Sequence, residues 1–170
     1  MAAAVASSQR LPPIDHIERT RRLYSSLGYE PYRWVHSASP PELRPLSKPL
    51  AASRVALIAS GGIYRHGQRA FHHRDDLSLR IIERDTPDAE LRATHFAYDL
   101  SAARRDPGAV FPLAALRRAE AAGRIGELAP RAYTFMGGIY SARKVREVVA
   151  PELARRLGED EVDVGLLVPV

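Results

Sequence analysis

The sequence predicts a single α/β domain: a mainly parallel sheet flanked by helices, led by a proline-rich N-terminal arm. Three observations predict it. Arg54–Ala59 and Val162–Val168 are short, nearly continuous apolar runs, as expected of strands buried on both faces. Stretches with helical spacing lie between the strand candidates. A chain of 170 residues holds one domain of this kind and has no room for a second.

Met1 to Arg10 is rich in Ala and Ser and lacks a basic leader, so it reads as a disordered start and the protein as cytoplasmic. Residues 11–50 follow as a helix and an arm. Asp15 and Glu18 have capping-box spacing and Gly28 suits a helix end, which predicts a helix from Asp15 to Leu27. Five prolines between Tyr29 and Leu50 exclude a regular element there; Tyr29, Tyr32 and Trp34 are interleaved with them.

Residues 51–170 carry the α/β domain. The strand at Arg54–Ala59 opens into Ser60-Gly61-Gly62-Ile63-Tyr64. A polar stretch from Arg65 to Arg92 has room for a hairpin around Ser78 to Ile82. Ala93 to Leu100 is the next strand candidate. Pro112 marks the start of a helix that ends near Gly123. Ala132 to Met136 is a strand opening into Gly137-Gly138-Ile139-Tyr140, an echo of the first strand end. Ser141 caps a helix that Pro151 should kink or split, and Val162 to Val168 closes the sheet.

Composition narrows the chemistry. There is no cysteine, which excludes disulfides, cysteine-ligated metals and a thiol nucleophile within these residues. No apolar run approaches the ~20 residues of a membrane helix. Net charge is +5, and all basic residues except Lys48 and Lys144 are arginine. The arginines form no stripe and no nucleic-acid motif, so neither a nucleic acid nor a membrane is an expected partner.

Ligands of open parallel sheets bind beyond the carboxyl ends of the strands. That edge gathers Ser60, Gly61 and Gly62, Asp99 at the end of the second strand, Gly137 and Gly138, and Pro169-Val170. Paired glycines either turn the chain tightly or line an anion site with their N–H groups. On a strand of period two, His95 and Asp99 share a face; they read as an acid–base or metal pair, or as a histidine satisfied by a structural carboxylate. His72-His73-Arg74-Asp75-Asp76 offers ligand types, but as a solvated loop, and no metal is assigned.

Six segments, in order, resemble the selenoprotein B family of glycine, sarcosine and betaine reductases and the related selenocysteine subunit of D-proline reductase. They are V-A-L-I-A-S-G-G-I from Val55, T-H-F-A-Y-D from Thr94, R-D-P-G-A-V-F-P-L from Arg105, I-G-E-L-A-P-R from Ile125, F-M-G-G from Phe135 and V-D-V-G-L-L-V-P-V from Val162. The resemblance implies a subunit of an enzyme that cleaves an amino-acid C–N bond reductively. It implies a small amino-acid substrate, a pyruvoyl group on a partner subunit, a thiol-based electron donor, and no cofactor in this chain. Arg105 then becomes a candidate for a substrate carboxylate. In such proteins the strand matching Val162–Val170 runs into the selenocysteine or cysteine segment. The resemblance therefore places the catalytic nucleophile after Val170 and the domain as incomplete at that end, as when a UGA codon is read as stop. Whether these residues alone form an enzyme stays open. Two other readings use the same residues: a non-catalytic interaction subunit on this scaffold, and a small-anion or amino-acid binding domain built on the Gly-Gly turns.

Overall fold

The computed structural model describes residues 13–31, 35–42 and 44–170. The expected disordered start at 1–10, and Tyr32 and Trp34 of the arm, lie outside them. The chain divides into two units, Met1–Pro41 and Glu42–Val170.

In the first unit, α1 spans His16–Ser26. Asp15 caps it by accepting the Glu18 N–H at 2.9 Å, and Glu18 accepts in turn from Arg21 and Arg22. Gly28 follows in the left-handed region at φ +75°, the backbone state that ends a helix without a Cβ clash.

The second unit is built on β1 (Arg54–Ala59), buried from Val55 onward. Along one side of β1 run two short parallel strands, β5 (Glu127–Leu128) and then β6 (Arg131–Thr134). Along its other side runs β7 (Val164–Val168), also parallel, with Val55 opposite Val164 and Ala59 opposite Val168. β3 (Arg80–Glu83) adds antiparallel to β6. A separate antiparallel ribbon pairs β2 (Ile63–Arg65) with β4 (Leu91–Ala93).

Alternation along β1 fixes the two layers. Val55, Leu57 and Ala59 face a core that includes Ile63 and Leu91 of the ribbon, Ala103 of α2 (Ser101–Arg105) and Leu113 of α3 (Leu113–Ala121). Tyr133 of β6 is also fully buried, but away from that core; its hydroxyl reaches the helical run after β6 and donates to the Asp160 carboxylate. The run consists of α4 (Ala142–Lys144), a π-helical stretch Val145–Val149, and α5 (Ala150–Glu159). Pro151 does not break it. The turn widens just before the ring, and Pro151 takes a place in the first turn of α5, where its missing N–H costs little.

The α/β class and the mainly parallel sheet agree with the expectation. The strand expected at Ala93–Leu100 does not. β4 ends at Ala93, and residues 94–100 leave the ladder because their side chains capture nearby backbone N–H groups. His95 Nδ1 accepts from Ala97 at 3.0 Å and the Asp99 carboxylate from Ser101 at 2.9 Å. The hairpin expected around Ser78 is instead a single strand, β3, laid on β6. Among the described residues no helix is long and apolar enough to cross a membrane.

Candidate functional site

The carboxyl ends of β1, β6 and β7 are laced into one edge. Ser60 N–H donates to Val168 O at 3.1 Å, and the Ser60 hydroxyl accepts the Val170 N–H at 3.0 Å. Gly62 N–H donates to Phe135 O at 3.0 Å and Gly137 N–H to Ser60 O at 2.9 Å. The two Gly-Gly turns seen as an echo in the sequence therefore bridge each other, Gly61 against Met136. An apolar depression of about 140 Å³ opens here between Ile58, Ser60, Phe135, Leu167, Val168 and Pro169.

Close approach requires glycine at position 62 and, against the mobile end of the exposed Phe96 side chain, favours it at position 138. Gly62 sits at φ +68°, and a Cβ there would lie 2.0 Å from the Thr94 carbonyl oxygen, which accepts no such intrusion. At Gly138 a Cβ would meet the Phe96 ring at 2.3 Å. Phe96 stacks against Tyr140, with centroids 6.3 Å apart, and both are exposed, at 46% and 68%. They form an open aromatic wall beside the second turn.

The anion reading of the turns meets a specific geometry. The Gly62 and Gly137 N–H groups already donate to backbone carbonyls, and Gly138 N–H lies against Met136 Sδ at 3.3 Å. A carboxylate of the protein also stands at the helix entrance: Asp75 accepts the Tyr140 N–H at 2.9 Å and faces Lys144 Nζ at 3.4 Å. Asp75 comes from the polar loop that contains His72 and Asp76. Among the described residues no group of three or more His, Asp or Glu side chains converges as a metal would require.

His95 lies under this edge, 9% exposed, between Phe96 and Tyr98. Its Nδ1 accepts the Ala97 N–H, so the neutral ring carries its proton on Nε2, which is buried without a partner among the described residues. Tyr98 donates its hydroxyl to Gly61 O at 2.8 Å and holds the first turn in place. Burial pushes the His95 imidazole below its ordinary value of 6.5. The unfolded chain therefore takes up this proton first, and the histidine's contribution to stability, complete above the ordinary range, is lost as pH falls through it. The expected result is a melting temperature that falls less between pH 7.5 and 5 in His95→Gln than in the parent chain. Parallel slopes would show that His95 is not the responsible group.

Asp99 does not join His95. Its carboxylate turns to the Ser101 N–H, which lowers its pKa first of all its contacts. Arg105 stands apart as well, in a depression with Asp88, Arg92 and Asp106. Sequence reasoning missed Phe96, Tyr98, Tyr140 and Asp75. The Gly-Gly-Ile-Tyr echo did contain Tyr140; nothing in the sequence linked Asp75 to it, 65 positions away.

A central parallel strand, crossed at its carboxyl end by two Gly-Gly turns and an aromatic wall, defines an α/β domain with a strand-end site. Residues 39–169 match the family described as glycine/sarcosine/betaine reductase selenoprotein B. The chain belongs to that family. It is also 32% identical over 140 residues to D-proline reductase subunit gamma of Acetoanaerobium sticklandii, an alignment covering 82% of this chain and 58% of that protein. The chain thus spans little more than half the length of that relative. No solved structure matches it significantly.

Proposed function

We propose that this chain forms the strand-end scaffold of a reductase-complex subunit that cleaves the C–N bond of a small amino acid in the cytoplasm. The nucleophile is a selenocysteine or cysteine in a segment that follows Val170. The observation that carries the reading is the position of Val170. β7 runs parallel to β1, and Ser60 holds the Val170 N–H at 3.0 Å, so Val170 itself lies at the strand-end edge beside the first Gly-Gly turn.

The chalcogenolate attacks the substrate carbon that bears nitrogen; the C–N electron pair leaves on nitrogen, which takes a proton. A thiolate then attacks the selenium or sulfur, the carbon leaves as C–H with a second proton, and a second thiolate releases the nucleophile as the donor becomes a disulfide. A pyruvoyl group on a partner subunit, implied by the family resemblance, would supply a carbonyl electrophile that activates the substrate nitrogen as a leaving group. The open wall of Phe96 and Tyr140 suits a substrate presented by another chain, since it lines the edge without enclosing it. Ser60 holds Val170 at this edge, and Tyr98 holds the Gly61 carbonyl.

The test is to express the gene with the codons after Val170 decoded as cysteine or selenocysteine. The product is combined with the pyruvoyl subunit, a dithiol and D-proline, and the ring-opened amino acid is measured. Product is expected only with the extended chain. Equal product from the extended chain and from a variant with alanine at the cysteine or selenocysteine position would overturn the reading.

A further inference from the structure

A second depression lies behind the first Gly-Gly turn, on the β2–β4 ribbon. It measures about 350 Å³ and is lined by Tyr64, Leu91, Arg92, Ala93, Thr94 and Arg104. Leu91 and Ala93 are buried and make an apolar floor. Two guanidinium groups and two hydroxyls make the walls; no carboxylate lines it, although Leu91, Arg92 and Arg104 also border the adjoining depression around Arg105, which carries Asp88 and Asp106. The depression at the amino end of the sheet is different: its cations are matched, Lys48 to Asp163 at 2.7 Å and Arg54 to Glu127 at 2.9 Å.

The polar groups here are set for an incoming acceptor. Arg92 Nη1 donates to Ala89 O and Leu91 O, each at 2.8 Å. That fixes the guanidinium and leaves Nε and Nη2 without a partner among the described residues. Arg104, near the end of α2, makes no side-chain hydrogen bond or ion pair among them. The neighbouring carboxylates are engaged elsewhere: Asp99 with Ser101 N–H, Asp106 with Gly108 N–H, and Asp88 with Arg117 at 3.5 Å. Thr94 donates to the Tyr64 hydroxyl at 3.5 Å, so the Tyr64 proton is free to donate into the depression.

We infer that this depression binds a small oxyanion, a carboxylate or a phosphate, between Arg92 and Arg104 with the Tyr64 hydroxyl as a third donor. Paired guanidinium groups suit the flat, multidentate acceptor of either anion. The volume suits one small molecule rather than a polymer. The inference does not depend on the reductase reading, since it uses no residue of the strand-end edge.

The test is an NMR titration of the isotope-labelled chain at constant ionic strength, with sodium chloride making up the difference. Sodium phosphate is one arm, and sodium acetate and D-proline are the other. Saturable shifts are expected at Tyr64, Arg92, Thr94 and Arg104. Arg104→Gln should weaken binding about tenfold, a loss of about 1.4 kcal/mol, while Arg118→Gln on α3 leaves it unchanged. Saturation in one arm identifies the anion class, and saturation in both makes the site a general oxyanion site. Shifts that fail to saturate, that chloride reproduces, or that persist unchanged in Arg104→Gln would overturn it.

Discussion

Gly62→Ala is expected to destabilise the domain by about 3 kcal/mol and to lower its melting temperature by about 10 °C. Two costs combine. The residue sits at φ +68°, a region that costs an L side chain about 1–2 kcal/mol. The added Cβ would also lie 2.0 Å from Thr94 O. That atom is backbone, so no rotamer change relieves the contact. Relief requires the ribbon to move away, which breaks the Thr94 N–H bond to Gly62 O and loosens the turn that Tyr98 holds. Gly123→Ala, in the same unit, is the control: its φ is also positive, at +66°, but nothing lies within 4 Å of an added Cβ. Thermal unfolding of the two variants separates the steric term from the conformational one. Equal losses would show that the Thr94 contact contributes nothing.

Asp160→Ala is expected to cost about 2–3 kcal/mol, because it removes the buried carboxylate that pairs the half-buried Arg131 and accepts from the buried Tyr133 hydroxyl. Asp160 is 5% exposed and accepts hydrogen bonds from Arg131 Nε at 2.9 Å and Nη2 at 2.5 Å and from the buried Tyr133 hydroxyl. Its removal leaves Arg131 only the longer contact to Glu159 at 3.8 Å and Tyr133 only a weak bond to Arg156 O at 3.5 Å. Burial alone would raise the Asp160 pKa. The Arg131 and Tyr133 hydrogen bonds outweigh it and hold the carboxyl below its ordinary value of 3.8. The sign follows: this stabilisation is complete above the ordinary carboxylate range and is lost as pH falls through the folded-state value. Urea unfolding at pH 7 and in acid checks both parts. The gap between parent and variant should be large at pH 7 and shrink in acid; a gap that does not shrink would mean that packing, not charge, sets the cost.

The residues themselves determined a good deal of this protein. A continuous apolar run marked β1 because a strand buried on both faces has no solvent side to alternate with; the similar run of β7 marked a strand but not its burial, since Leu166 and Leu167 stand exposed, at 39% and 67%. The spacing of Asp15 and Glu18 marked α1 because a cap is a local bond, three residues long. The two Gly-Gly turns were legible as strand ends for the same reason: each is a property of a few consecutive residues.

What tertiary structure decided was everything that depends on residues distant in the chain. β2 and β5 are three and two residues long, too short to carry a pattern, and exist because neighbours supply their bonds. His95 and Asp99 looked like a pair on a strand. In the fold each accepts a backbone N–H two residues on, and that local bond won over the ladder. Asp75 reaches Tyr140, and Asp160 reaches Arg131, across 65 and 29 positions. Arg92 and Arg104 share a depression because α2 folds back on the ribbon. Helix caps and buried strands are written in neighbouring residues. Charge partners and site walls are set by which chain segments the sheet brings together, because Coulomb and hydrogen-bond energies depend on distance in space and not on separation in sequence.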